Sequence, residues 1–527
     1  MCGIMYCGDL KISENLFKSS FEKIKYRGPD MSKILKSNKG YFGFHRLAIM
    51  DLSENGMQPF TLNNDILICN GEVYEFQKLK DQLKNKYEFK SKSDCEILLP
   101  LYNEYKFKMF NMLDSEFVLV LYDSLEDEII AARDPIGIRP MFYGYTINNK
   151  ICFASEAKAL VDICNIVKPF PIGSYYYKNK FHKYNNITKI KNNNYSNIDE
   201  IYKEINERLT NGVIKRLDAD APVGFLLSGG LDSSLVCAIA SKYYKKYNKK
   251  IKTFAIGMDK DPIDLKYAKE VSKYLDTIHT EVIMTKKDII NSLEEVIYTL
   301  ETYDITTIRA SLGMYLLCKY IKNNTDIKVI LTGEISDELF GYKYSDFAPN
   351  SKEFQKESEK RVKELFMYDV LRADRCISSN GLEGRVPFGD LKFVDYVLNI
   401  NPELKLNKYN KGKYLLRKSF TDNYLPEDIL LREKAAFSDA VGHSMVDYLK
   451  EYANNKYTDE EFNQKKELYN YYKKPFTKES LLYREIFEKY YKNHADMIKD
   501  YWMPNKKWVK VNDPSARVLS NYGDSAK

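Results

Sequence analysis

Nowhere in the 527 residues does an apolar run approach the roughly eighteen needed to span a bilayer. No charged segment leads into an apolar stretch at the amino terminus, so neither a membrane anchor nor a secretory leader is expected. There is no dense basic tract: 81 Lys plus Arg face 74 Asp plus Glu, a net +7 diluted over a long chain, and nucleic-acid binding is not expected. The nine cysteines are odd in number and lack metal-type spacing, which fits a reducing cytosol better than a disulfide framework. No internal repeat is visible. What is present, 44% apolar and 29% charged residues, is the composition of a globular protein. The length exceeds what one hydrophobic core organises, so at least two domains are expected.

Residues 41–155 carry short apolar or alternating runs, at 41–50, 65–69, 117–122 and 151–154, with a helical stretch over 73–84. That pattern predicts paired sheets carrying helices. Residues 189–200 are rich in Lys, Asn, Ile and Ser without sustained periodicity and read as a linker, which divides the chain into domains at 2–190 and 200–527. Beyond it Ile205, Leu209, Val213 and Leu217 recur every four residues and mark a helix. A strand at 223–227, a loop and a second helix follow. Further apolar runs at 251–256, 281–283 and 328–331 continue the alternation of a parallel α/β sheet, whose ligands bind at the carboxyl ends of strands. From about Phe393 the chain reads as mostly helical, and the tail from residue 502 is expected to be poorly ordered.

The loop after the first of those strands is Ser228-Gly-Gly-Leu-Asp-Ser-Ser234. Glycines let the backbone approach an anion, and hydroxyl donors stand at a helix start where unpaired N–H groups already favour negative charge. No Gly-Lys-[Ser/Thr] follows, so this is not a Walker A loop. A bare Ser-Gly-Gly would be a strand-to-helix turn with Asp232 or Ser233 as cap; the full heptamer after a buried-type strand points to phosphate. It resembles the pyrophosphate loop of the ATP pyrophosphatase family, whose members adenylate a substrate. That likeness implies that Ser228, Gly229, Gly230, Asp232, Ser233 and Ser234 surround the pyrophosphate and that Asp232 helps hold Mg²⁺, a hard cation suited to carboxylate and phosphate oxygens.

At the other end of the chain stands Met1-Cys2-Gly3. If Met1 is trimmed, Cys2 carries a thiol and a free α-amine, and an amine of reference pKa about 7.7–8.0 can accept the thiol proton, directly or through water. A cysteine at position 2 alone is most often chance. Here it is followed in order by Arg27-Gly-Pro-Asp30, His45-Arg46-Leu47-Ala48-Ile49, Asn70-Gly71-Glu72, Asp94 and Arg133-Asp-Pro-Ile-Gly-Ile-Arg-Pro140. These resemble the glutaminase half of class II amidotransferases, which implies a four-layer αββα sandwich of the Ntn-hydrolase kind. By that resemblance Asn70 and the Gly71 N–H form the oxyanion hole and Arg46 pairs with the glutamine α-carboxylate. Leu47, Ala48, Ile49 and Met50 line the substrate pocket, and Glu72 and Asp94 receive the α-ammonium. Taken singly, Asn70-Gly71 is most often a hairpin turn, and His45 suits packing better than catalysis.

The second half decides the acceptor. Glu301-Thr-Tyr-Asp-Ile-Thr-Thr-Ile-Arg-Ala-Ser311, Leu331-Thr-Gly-Glu-Ile-Ser-Asp-Glu338, Gly384-Arg-Val-Pro-Phe388, Lys434-Ala-Ala-Phe-Ser-Asp439 and Asp513-Pro-Ser-Ala-Arg517 resemble the glutamine-hydrolysing asparagine synthetases. The likeness implies glutamine, aspartate and ATP as substrates, a β-aspartyl-AMP intermediate, a sheltered path for ammonia and a homodimer in the cytoplasm. It places Leu226, Ile256, Thr332 and Gly333 against the nucleotide. Glu334 would form the adenylate or handle protons, Asp337 would assist the metal, Lys434 would neutralise phosphate charge, and Arg309 would hold aspartate. Two residues depart from the family pattern, Ile335 and Tyr342, each in place of a glycine; positive φ at either would strain the backbone. Two other readings compete: an amidotransferase with a different carboxylate acceptor, as in β-lactam-forming relatives, and a catalytically quiet nucleotide sensor.

Overall fold

The computed structural model describes residues 1–191, 195–259, 262–409, 411–432 and 444–508, together with Leu519. Among these, no helix is long and apolar enough to cross a membrane.

The amino-terminal half is built from two six-stranded antiparallel sheets. The first runs in the order Ile166–Pro169, Phe142–Tyr145, Ile151–Ala154, Gly3–Cys7, Gly40–Arg46, Met31–Ser37. The second runs Lys180–Lys183, Ser174–Tyr177, Glu128–Arg133, Ser115–Asp123, Asp65–Val73, Phe60–Leu62. Side-chain alternation stacks them. On Gly3–Cys7, Ile4 and Tyr6 enter the core between the sheets, while Met5 and Cys7 turn to the outer layer with Phe17 and Phe21 of the helix Glu14–Glu22. On Asp65–Val73, Ile66 and Ile68 face inward, whereas Leu67 and Cys69 meet Leu83 and Leu98 of the helices on the far side. Helix, sheet, sheet, helix is the expected αββα sandwich.

The helix Ile198–Lys215 opens the second half, capped by Asn197 and burying Ile201, Ile205, Leu209 and Val213. A five-stranded parallel sheet follows in the order Ile278–Met284, Lys252–Met258, Val223–Leu226, Val329–Leu331, Glu383–Arg385. Strand order reverses at Val223–Leu226, which pairs with Lys252–Met258 on one side and Val329–Leu331 on the other. A crevice therefore opens beyond the carboxyl ends of those strands. From Leu391 onward the described chain is mostly helical, with helices such as Leu391–Leu398, Ser444–Lys456 and Lys478–Tyr490.

The start of the tail departs from its expectation, while residues 509–518 and 520–527 lie outside the described residues. Residues 502–508 have weak periodicity but are tied down by tertiary bonds: Trp502 N–H to Asp304 (2.6 Å), Arg361 to the Met503 carbonyl (2.7 Å) and Asn505 to Glu357 (3.0 Å). Long-range partners fix a segment whose own sequence carries no helix or strand signal.

Buried charges join the halves. Arg27 reaches Asp374 of the second half (2.9 Å), and Glu301 of the second half accepts the backbone N–H groups of Ala157 and Lys158 (3.0 and 2.7 Å).

Candidate active sites

Cys2 lies just before the strand Gly3–Cys7, with its thiol toward the Leu47 carbonyl (3.8 Å) and its N–H donating to Asn70 Oδ1 (3.0 Å). Burial pushes the thiol up to about 11, with the positive amino terminus pulling the other way. With Met1 attached, the Cys2 nitrogen is a peptide nitrogen. The free amine belongs to Met1, whose side chain is buried, and burial pushes that amine down to about 5. Met1 sits at the junction of the halves, its amine donating to the Leu382 carbonyl (3.3 Å) near Glu383 (3.9 Å).

Asn70-Gly71 is not a turn: the pair lies inside Asp65–Val73, with Asn70 opposite Val118 and Gly71 opposite Phe117. Asn70 Nδ2 is buried and has no hydrogen-bond partner. An unused amide donor whose other end contacts the nucleophile's nitrogen suits a developing oxyanion. A side chain at Gly71 would strike the Glu116 carbonyl and Phe117 Cβ (both 2.8 Å), so only glycine fits.

Glu72 and Asp94 are both buried. Burial, reinforced by Asp94 and Glu383, holds the Glu72 carboxyl well above the usual range despite Arg385 at 3.0 Å. Burial pushes Asp94 up to about 6, against the Val73 N–H at 2.7 Å. Two buried carboxyls side by side, only one of them paired with an arginine, suit an ammonium group. Arg46 is buried and spends its donors on the carbonyls of Met50, Asp51 and Ser53, shaping the loop after Leu47, Ala48 and Ile49. His45 is a core residue: it stacks on Phe21 (3.6 Å) and bonds Ser32 Oγ (2.7 Å), and burial pushes it down to about 4.

The second site is a cavity of about 300 Å³ at the sheet's switch point, lined by Leu226, Ser228, Asp232, Ile256, Thr332 and Gly333 among others. Gly229 has φ +72°, and a Cβ there would strike the backbone of Tyr267 and Ala268 (2.6 and 2.5 Å). Ser228 and Ser233 hydroxyls bond each other at 3.0 Å across the loop, and Gly230 starts the helix Leu231–Lys245 that carries Ser234. A Cβ on Gly333 would sit 2.7 Å from the Ser233 nitrogen, so the two strand-end loops touch.

Lys413, absent from the sequence reading, pairs with two carboxylates that line this site. Its ammonium meets both Asp232 oxygens (2.8 Å each), Ser336 Oγ (3.0 Å) and Asp337 Oδ1 (2.6 Å). Asp232 and Asp337 thus converge on one ammonium group. Arg372 was missed as well: it pairs with Glu334 (2.6 Å) and Asp369 (3.2 Å), and its buried Nε has no partner. Arg309 lines the cavity but commits its fork to Glu479, with Nε at 2.8 Å, an alternative to the expected aspartate contact. Each arginine has a partner far away in sequence, Glu334 for Arg372 and Glu479 for Arg309, which no local motif signals. Lys434, with the motif at 434–439 and that at 513–517, lies outside the described residues.

Ile335 has φ +80°, so one of the two departures from glycine falls on a left-handed residue. Tyr342, at φ −116°, does not; the neighbouring Gly341 carries the positive φ, +91°.

A family model described as a glutamine amidotransferase domain matches residues 1–208, and one described as asparagine synthase matches residues 204–355 and 345–512. The chain is 40% identical over 562 aligned positions to a probable glutamine-hydrolyzing asparagine synthetase of Acanthamoeba polyphaga mimivirus, covering 98% of this chain and 100% of that one. It is 40% identical to the glutamine-hydrolyzing asparagine synthetase of Gallus gallus (99% of each chain) and 38% identical to that of Homo sapiens (100% of each).

Proposed function

The chain belongs to the glutamine-hydrolysing asparagine synthetases, and from that premise we propose which residues carry each step. The enzyme converts glutamine, aspartate and ATP to glutamate, asparagine, AMP and pyrophosphate. Residues 2–190 form the glutaminase and residues 200–527 the synthetase.

Removal of Met1 turns the nitrogen beside Asn70 into an α-amine, which takes the thiol proton. The Cys2 thiolate attacks the glutamine δ-carbonyl; Asn70 Nδ2 and the Gly71 N–H receive the oxyanion; the C–N bond breaks and ammonia leaves; water then hydrolyses the thioester. Glu72 and Asp94 hold the α-ammonium. Arg46, with Leu47 to Met50, shapes the wall that takes the α-carboxylate.

In the synthetase a β-carboxylate oxygen of aspartate attacks the ATP α-phosphorus, and the bond between the α and β phosphates breaks. Residues 228–234 cradle the pyrophosphate. Mg²⁺, held by Asp232 and Asp337 when bound, would neutralise the departing charge, and Lys413 supplies a fixed positive charge to the same carboxylates. Arg372 binds the aspartate side chain or orients Glu334. Ammonia displaces AMP at the activated carbonyl, and Glu334 takes the proton lost. Lys434 is assigned phosphate charge. The working assembly is a homodimer in the cytoplasm, a reading supported by family likeness and by the nine free thiols.

One observation carries these assignments: the unpartnered Asn70 amide beside the Cys2 nitrogen, in the same chain as a cavity walled by a pyrophosphate-type loop. The test is product analysis with glutamine, aspartate, ATP and Mg²⁺. Asparagine, AMP and pyrophosphate in equal amounts are expected. ADP in place of AMP would refute the adenylation step.

A further inference from the structure

Two residues of the carboxyl-terminal segment, Trp502 and Trp508, line the same cavity as Ser228, Asp232 and Thr332. They are also the only tryptophans of the chain. Trp508 is 6% exposed and packs in a cluster with Tyr344 and Leu519. Trp502 lies 5.3 Å from the Tyr344 ring and 4.7 Å from the Arg361 guanidinium. The segment has little regular structure of its own, yet it is fastened to two helices. Trp502 N–H donates to Asp304, whose other oxygen caps the helix Ile305–Asn324 through the Thr307 N–H (2.8 Å), so wall and pocket helix share one carboxylate. Arg361 and Glu357 of the helix Ser351–Glu364 hold Met503 and Asn505.

A built aromatic wall at this place has a chemical use. An acyl adenylate is open to water as well as to ammonia, and water is by far the more abundant nucleophile. We infer that Trp502 and Trp508 are positioning residues that keep bulk water away from β-aspartyl-AMP, so that the tail sets the yield of asparagine per ATP. This rests on the adenylation reading above. The leak they prevent is balanced: water oxygen attacks the β-carbonyl carbon, the carbon–oxygen bond to AMP breaks, and aspartate and AMP leave with the water protons.

The test uses the full chain and its Trp508→Ala, Trp508→Phe and Trp502→Leu variants, with aspartate, ATP, Mg²⁺ and ammonium chloride in ¹⁸O-water. The parent should make about one AMP per asparagine. Trp508→Ala should raise that ratio several-fold and place ¹⁸O in the aspartate β-carboxylate. Trp508→Phe should bring both back toward the parent, and Trp502→Leu should leak in the same direction. Glutamate release from glutamine should stay at the parental rate, since Cys2 is in the other half. Parental ratios and parental ¹⁸O in every variant that makes asparagine would overturn the inference, as would ¹⁸O entering AMP in place of aspartate. If Trp508→Ala does not fold, Trp508→Phe and Trp502→Leu decide on the same readouts. A parent that forms ADP or no pyrophosphate refutes the adenylation reading itself, an outcome separable from a parent that forms AMP while its variants leak no more.

Discussion

The left-handed Ile335 makes a sharp prediction because two large terms oppose each other there. Its side chain is 1% exposed and packs so closely that a Cβ on Gly389 would lie 2.8 Å from Ile335 Cδ1. Truncation to alanine removes that packing, a loss of about 2–5 kcal/mol, and leaves a Cβ in a conformation that disfavours it. Truncation to glycine removes the same packing and also lifts the backbone penalty, about 1–2 kcal/mol for an L-residue at positive φ. Set against the roughly 0.5–1 kcal/mol by which glycine is less stable than alanine in ordinary backbone, the order inverts. The parent should be most stable, Ile335→Gly next and Ile335→Ala least, with about 0.5–1 kcal/mol between the variants. Urea unfolding followed by tryptophan fluorescence reads the right part of the molecule, since Trp502 and Trp508 both stand at the synthetase cavity. With a urea dependence of about 2–3 kcal/mol per molar, the glycine midpoint should exceed the alanine midpoint by about 0.2–0.5 M. A midpoint higher for alanine than for glycine would refute the positive φ and the strain argument with it.

Three more outcomes follow from the two sites. Cys2→Ala should reduce glutamine-dependent asparagine synthesis by about 10³-fold or more while leaving ammonia-dependent synthesis within about twofold, measured by asparagine release; loss of both would mean the halves have been misassigned. Lys413→Met leaves Asp232 and Asp337 facing each other without their ammonium, a loss of about 3–5 kcal/mol of local stability. Synthesis from either nitrogen donor should fall more than about tenfold with glutamine hydrolysis retained, and unchanged ATP use would remove Lys413 from the site. For Asp94 the folded protein holds its proton more tightly than the unfolded chain, so the fold without substrate loses stability as pH rises from the ordinary carboxylate range through about 6, and Glu72, also held above that range by burial, acts in the same direction. Glutamine's ammonium needs Asp94 ionised, so the glutaminase KM should fall as pH climbs through about 6; a KM flat between about pH 5 and 8 would sink this account of the receptor.

The site was legible where its chemistry is carried by consecutive residues. Residues 228–234 sit where a strand ends and a helix begins, and the αL glycine, the hydroxyls and the capping geometry are all local, so seven letters nearly determine the loop. Strand ends were read to within a few residues, as for 151–154 against Ile151–Ala154, because alternation is a local signal. Legibility fails where a charge answers a charge far along the chain. Arg309 looked free to bind a substrate until Glu479, 170 residues on, took its fork; Lys413 stood in an undistinguished Lys-rich stretch until it met Asp232, 181 residues back. Burial raises the stakes of such pairings, since an unpaired charge in the interior costs far more than an exposed one. The same physics explains the tail: residues 502–508 hold their place through Asp304, Glu357 and Arg361. Ile335 is the instructive middle case. The missing glycine was visible in the sequence, and the consequence, a β-branched residue at positive φ, required only the backbone angle; the parallel concern at Tyr342 dissolves because Gly341 absorbs the left-handed turn one residue earlier. A glycine lost from a loop is therefore informative only together with knowledge of which residue makes the turn.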